Sequence, residues 1–269
     1  MPFTVLTSIY SKENPLYFEE SMISVFSQTL CADEVVLVED GPLTQPLYEV
    51  VAKWKHLHPE IKIVKLDQNM GLGKALNEGL KHCSNDLVVR VDTDDICKGN
   101  RFATQVAFMY EHPEIDVCGA GIDEFENEIG NVVSARIPPE THIDLYKYGK
   151  RRNPINHPAS VFRKKSVEKV GGYHHFSLFE DYYLWARMMV EGAKFHNIQE
   201  TLLFFRRSPQ MIKRRGGLKY AWVEIKFQYA LYKIGYINIL MMIENILIRF
   251  GVRIIPNAMR NLFYLLCLR

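Results

Sequence analysis

Leu87-Val88-Val89-Arg90-Val91-Asp92-Thr93-Asp94-Asp95 carries a strand-like run straight into three carboxylates within four residues. Carboxylates this close repel one another unless they share a cation. Hard divalent cations take oxygen ligands, and Mn²⁺ or Mg²⁺ commonly uses one or two carboxylates together with substrate phosphates. The alternative is an acidic loop that only caps the next helix. Outward from this stretch, β-like and α-like segments alternate. Phe3–Ile9, Val35–Val38, Ile61–Leu66, Leu87–Val91 and Val117–Phe125 read as strands, and Leu16–Gln28, Leu47–Leu57, Gly73–His82 and Arg101–His112 as helices between them. Short apolar runs of this kind are buried in parallel sheets. The repeated βαβ pattern predicts an open α/β fold: a mostly parallel, Rossmann-like sheet with helices on both faces. Such sheets bind ligands at the carboxyl ends of their strands, near the switch in strand order. Polar clusters follow three of these strands: Ser8-Ile9-Tyr10-Ser11, Glu39-Asp40-Gly41 and 92–95.

With 269 residues, 48% hydrophobic and 24% charged, the chain has the composition of one large domain or a domain with an appendage, which excludes a disordered or collagen-like protein. The formal net charge of +2 conceals an asymmetry. Residues 201–269 hold twelve Lys and Arg against two acids, a balance of +10, and the remaining 21 bases and 29 acids leave −8 on residues 1–200. A basic tail on an acidic body points to a polyanion or an anionic membrane. The five cysteines (Cys31, Cys83, Cys97, Cys118, Cys267) form no C-x-x-C pair, so reduced thiols are expected rather than a disulfide framework or a zinc site. The first residues read as a strand, not a signal peptide. The longest apolar stretch, 236–248, is shorter than the about 20 residues a membrane-spanning helix needs.

Further candidates stand along the chain. Glu39-Asp40-Gly41 can accept from a nucleobase or ribose, or be a plain turn. Asn69-Met70-Gly71-Leu72-Gly73-Lys74 opens a helix whose amides favour an anion, although packing alone explains a glycine-rich start. Glu180-Asp181 places two acids at a helix start, where one can be held by partners while the other takes a proton. The competing reading is a helix cap. His157, before Pro158, is a lone histidine of the kind that is more often structural.

Together these clusters resemble glycosyltransferase family 2, inverting enzymes of the GT-A fold, over residues 3–210. The segments that carry the resemblance are Val5-Leu6-Thr7-Ser8-Ile9-Tyr10, Ser27-Gln28-Thr29, Val38-Glu39-Asp40-Gly41, Asn69-x-Gly71-x-x-x-Ala75-x-Asn77, Asp92-Thr93-Asp94-Asp95, and Glu180-Asp181-Tyr182 with Trp185 and Arg187. Ser8 stands where the family often has proline, and Glu39 where it usually has aspartate. The resemblance implies that Ser8, Tyr10, Glu39 and Asp40 line the nucleoside. It implies that Asp94, with Asp92 or Asp95, holds Mn²⁺ or Mg²⁺ on the donor diphosphate, and that Asp181, beside Glu180, is the general base. Asn69, Lys74 and Asp92 are further expected donor contacts. The Gln-x-x-Arg-Trp motif of processive members is missing, so a single sugar transfer is expected.

Among family members the chain looks most like bacterial O-antigen or capsule transferases, which act on undecaprenyl-diphosphate-linked sugars at the inner face of the cytoplasmic membrane. The expected reaction moves glucose or galactose, glucose put first, from a UDP-sugar to GlcNAc or GalNAc on that lipid, as a β-1,3 linkage. Residues 211–269 form the expected amphipathic helical tail, in contact with an anionic membrane surface rather than nucleic acid. Arg214 and Arg215, with Arg206 and Arg207, are candidates for the acceptor diphosphate. The tail helices could instead pack on the body, leaving their charges solvated. Two rivals remain: a sugar-phosphate nucleotidyltransferase, which should show a glycine-rich loop after the first strand, and a binding protein without turnover, which should have lost the acidic motifs.

Overall fold

The structure, a computed structural model, describes residues 1–176, 178–207 and 218–254. Its first half is a set of βαβ units. Strands β1 (Thr4–Ile9), β2 (Glu34–Glu39), β3 (Ile61–Lys65) and β4 (Leu87–Arg90) lie in the order β3-β2-β1-β4 and are all parallel. Helices α1 (Pro15–Phe26), α2 (Gln45–Leu57) and α3 (Leu72–His82) make the crossovers. Local chemistry sets their starts. Asn14 caps α1 by accepting the Leu16 N–H at 2.9 Å, with Pro15 pre-shaped for the first turn. Leu47, Val51 and Trp54, spaced for one helical face, are the buried residues of α2.

The sheet is covered on both faces, as the alternation predicts. Leu6, Val36, Val38 and Val88 pack on one side with α3 and with α7 (Glu180–Val190). Val5, Val35, Leu37 and Val89 pack on the other with α1, α2 and α4 (Arg101–Glu111). Beyond β4 the sheet continues through β8 (Val161–Arg163), β6 (Val117–Phe125), β9 (Phe195–Arg206) and β5 (Ile96–Cys97), while β7 (Val132–Arg136) pairs with β6. Among the described residues, β1 to β4, β6 and β9 run one way and β5, β7 and β8 the other, so the sheet is mostly parallel. The sequence reading contains no counterpart to β5, β7, β9 or α5 (His142–Gly149).

Among the described residues, two helices follow residue 217. In α8 (Leu218–Lys233), Phe227 stacks on Phe179 at 4.5 Å and lies 4.8 Å from the Tyr182 ring. Tyr220, Ala221, Phe227 and Leu231 are buried, so this helix packs on the body. Helix α9 (Ile239–Ile254) joins α8 through Asn245, which donates to Gln228 Oε1 at 2.9 Å, and through an Arg249–Glu224 ion pair. Its outer row stays exposed, with Leu240 at 74% and Leu247 at 68%. Among the described residues, no helix is long and apolar enough to cross a membrane. The strand order reverses between β1 and β4, which places the switch point beside Ser8 and the 92–95 loop.

Candidate active site

Strand β4 delivers the acidic loop, and buried partners shape it. Asp92 accepts from Arg90 Nη2 at 2.5 Å, and its backbone carbonyl accepts from Ser21 Oγ at 2.9 Å. Asp95 is fully buried. Its Oδ1 accepts the Arg206 N–H at 2.9 Å, while Oδ2 has no hydrogen-bond partner among the described residues. Burial, then the neighbouring Asp92 charge, pushes Asp94 up to about 6. Asp95 rises well above the usual carboxylate range, from burial first and then from Asp94 and Asp92. Three mutually repelling carboxylates with an orphaned buried oxygen fit a divalent cation, which would relieve that repulsion. Among the described residues no ready-made cluster of three or more His, Cys, Asp or Glu ligands exists. Asp94 and Asp92 are half-buried, and Asp95 lies buried behind them.

The motifs at 39–41 and 69–71, separate in sequence, form one unit. The Asp40 carboxylate accepts from Met70 N–H at 2.6 Å and Gly71 N–H at 3.0 Å, and Asn69 Nδ2 donates to the Asp40 carbonyl at 3.3 Å. Gly41, at φ +82°, lies so close that a Cβ would stand 2.5 Å from the Asn69 nitrogen. This clamp sets the start of α3 and leaves Asn69 and Lys74 exposed there.

Helix α3 carries the loop to the second carboxylate pair. A Cβ on Gly73 would lie 3.3 Å from both Glu180 Cγ and Tyr173 Cβ, so glycine permits the close approach of α3 to α7. Asn77 locks the same junction: its Nδ2 donates to the Tyr173 carbonyl and its Oδ1 accepts the Tyr173 N–H, both at 2.7 Å. Arg187 holds the other side of that turn, donating through Nη2 to the Gly172 carbonyl at 2.5 Å and through Nη1 to that of Val170. Trp185 is a core residue against Phe162, Phe195 and His157.

Glu180 and Asp181 occupy the first turn of α7. Asp181 is raised, by burial first, and the Tyr182 N–H, Asn153 and Arg136 offset only part of the rise. Asn153 Nδ2 donates to Asp181 Oδ2 at 2.6 Å. Glu180, half-buried, is pushed up to about 7, by burial first and also by the Asp181 charge. The two acids therefore differ in character, one supported by donors and one inclined to hold its proton.

Tyr173 connects the two carboxylate groups. Burial raises its phenol, Arg90 opposes the rise, and the charges of Asp181 and Asp92 both add to it. Its hydroxyl lies 2.8 Å from His157 Nε2. Burial and the Arg90 charge push His157 well down, which makes it a neutral support for Tyr173. Arg90 is the functional residue that sequence reasoning missed. It is fully buried, and its Nε and Nη1 have no partner among the described residues. Its signal was a lone cation in an otherwise apolar strand, directly before the carboxylates.

Ser8 and Tyr10 are half-buried at the end of β1, beside this group. Glu39 is not brought to it. The β2 alternation turns Glu39 to the opposite face, where it lines a groove with Tyr48 and Val51 and lies 3.7 Å from Lys65. Arg206 and Arg207 stand among acidic and aromatic neighbours. Arg206 donates to the Asp94 carbonyl at 3.0 Å and to Glu20 at 2.5 Å, with its guanidinium 4.0 Å from the Tyr17 ring centroid. Arg207 lies near Glu124 and Glu126. Arg214 and Arg215 lie outside the described residues.

The Glu180 shift carries a sign for stability. A carboxyl raised from 4.5 to about 7 holds its proton longer in the folded chain than in the unfolded one. Its contribution to stability is therefore present at acid pH and is lost as pH rises through that window. Glu180→Gln should flatten the fall in Tm across this range; a Tm–pH curve parallel to wild type would refute the assignment.

A family model described as Glycosyl transferase family 2 matches residues 4–171. Among curated relatives, the chain is 40% identical over 263 residues to the Escherichia coli UDP-Gal:alpha-D-GlcNAc-diphosphoundecaprenol beta-1,3-galactosyltransferase, covering 97% of this chain and 94% of that protein. It is 41% identical to the amylovoran biosynthesis glycosyltransferase AmsE of Erwinia amylovora, covering 86% of this chain and 85% of that one. Among solved structures, the Pyrobaculum calidifontis mannosyltransferase PcManGT, in complex with GDP-Man and Mn²⁺, shares the fold at a TM-score of 0.60 and 16% identity, covering 99% of this chain and 80% of that one. The chain is a member of glycosyltransferase family 2, and its sheet with the acidic loop at the switch point is the GT-A fold of that family.

Proposed function

We propose that this enzyme transfers one galactose from UDP-galactose to GlcNAc linked through diphosphate to undecaprenol, forming a β-1,3 bond. The observation that carries the reaction type is that Tyr173, held by Asn77 where α3 meets α7, lies within reach of the charges of both Asp92, of the acidic loop, and Asp181, at the start of α7. That arrangement supports displacement at the anomeric carbon with the leaving diphosphate on one side and the base on the other. The substrates follow the 40% identical relative, which moves the expected hexose from glucose to galactose.

Asp94 and Asp92 would hold Mn²⁺ or Mg²⁺, which when bound neutralises charge on the leaving diphosphate. Ser8, Tyr10 and Asp40 line the nucleoside side, and Asn69 and Lys74 stand at the α3 start to meet an anion. Asp181 accepts the proton of the acceptor hydroxyl, and a single displacement inverts an α-linked donor to a β-linked product. Arg214 and Arg215 are assigned to the acceptor diphosphate. A second reading, an exopolysaccharide acceptor other than an O-antigen precursor, is supported by the relationship to AmsE.

The donor is tested with a panel of UDP-sugars against one synthetic GlcNAc-diphosphate-lipid. Turnover should be fastest with UDP-galactose; a preference for UDP-glucose would refute the donor assignment.

The enzyme works as a peripheral protein at the inner face of the bacterial membrane, docking through the outer row of α9, where Leu240, Ile243 and Leu247 are exposed. Since Phe227 and Leu231 belong to the core, truncating the tail would also damage the body. Replacing Leu240 and Leu247 by serine separates the two effects. The double variant should stay folded yet fail to float with anionic liposomes; flotation equal to wild type would contradict the docking face.

A further inference from the structure

We infer that helix α9, through the 149–153 segment, is a positioning element for the Asp181 carboxylate. This rests on Asp181 being the base. The segment is held at both ends. At its start, the Gly149 carbonyl accepts from Tyr182 Oη, on the residue next to Asp181, at 2.6 Å. At its end, Asn153 donates its Nδ2 hydrogen to Asp181 Oδ2 at 2.6 Å, and its own carbonyl accepts from Arg136 Nη2 at 2.7 Å.

Between these points, among the described residues, the segment is fastened to α9. Asn245 Nδ2 donates to the Lys150 carbonyl at 2.9 Å. The Arg151 guanidinium grips Glu244 with two bonds, at 2.8 and 2.9 Å. Arg249 Nη2 donates to the Arg151 carbonyl. The α9 residues making these contacts are in turn held by α8, with Asn245 on Gln228 and Arg249 on Glu224. These contacts place Asn153 where its amide fixes one rotamer of Asp181 and favours the charged form that accepts a proton. The other charged or titratable groups that face Asp181 are Glu180 on its own helix, Arg136 from β7 and Tyr173 from the 171–173 turn.

The test uses the full chain, UDP-galactose and a water-soluble GlcNAc diphosphate bearing a short alkyl chain, so that membrane docking is not required. Asn153→Ala should lower kcat by roughly 10- to 100-fold with little change in KM, and move the acid limb of the kcat–pH profile upward by about one unit. Asn245→Ala should move both quantities in the same direction by less, about 3- to 10-fold in kcat. If Asn245→Ala does not fold, the exposed pair is used instead, and Glu244→Gln with Arg151→Met should shift the acid limb upward. An acid limb that stays at the wild-type position in folded Asn153→Ala, or in the folded α9 variant, overturns the inference. Asp181→Asn is measured alongside. If it stays active, the base assignment itself has failed. If it is inactive while Asn153→Ala keeps the wild-type profile, the positioning role alone has failed.

Discussion

Asp181→Asn is expected to lower kcat by about 10²- to 10⁴-fold while leaving UDP affinity close to wild type. Asparagine keeps the shape and can still contact Asn153, but it cannot take a proton from the acceptor hydroxyl. The residue is suited to the task because opposing influences hold it. Burial raises its pKa, and the Tyr182 N–H, Asn153 and Arg136 offset only part of that rise. Glu180 lacks equivalent side-chain donors and is pushed up to about 7, by burial first and then by the Asp181 charge. Steady-state kinetics beside UDP binding by calorimetry make the test. Loss of UDP binding together with turnover would mean that Asp181 supports the fold of the cleft; full turnover would remove it from the mechanism.

Asp94→Ala is expected to cost roughly 10²- to 10³-fold in kcat/KM, with part of the loss recovered at high Mn²⁺. The neighbouring carboxylates should behave differently. Asp95 is fully buried and accepts the Arg206 N–H, so Asp95→Asn should act mainly on Tm. Asp92 shares its charge with Arg90, so it is the weaker of the two proposed ligands. Titration of activity with Mn²⁺ after chelation separates the cases. A metal response in Asp94→Ala identical to wild type would contradict the assignment.

The N-terminal half was legible because its signals are local. Val35–Val38 and Leu87–Val91 are short buried runs, and Asn14-Pro15 marks a helix start whatever surrounds it. Strand β9 was not legible, because its pairing with β6 shifts register around Gly121 and polar Gln199-Glu200 interrupts its alternation. Strands β5 and β7 were hidden by shortness and by exposure, respectively. The same division holds at the site. Asp94, Asp181 and the glycines at 71 and 73 stand in recognisable patterns, whereas Glu39 looked like a ligand until the strand alternation placed it on the other face. Arg206 was read as part of a basic tail, although it is the clamp on the acidic loop, an identity that depends on β9 passing beside residues 94 and 95. Asn153 acts through a tertiary neighbour, Asp181, that no sequence spacing specifies.

The most direct test is the structure of the product. Full-length enzyme, UDP-galactose, Mn²⁺ and a synthetic GlcNAc-α-diphosphate-lipid should yield free UDP and a disaccharide whose NMR spectrum shows a β-anomeric galactose on O3 of GlcNAc. An α-linked product, or pyrophosphate released from UTP without sugar transfer, would contradict the proposed inverting transferase.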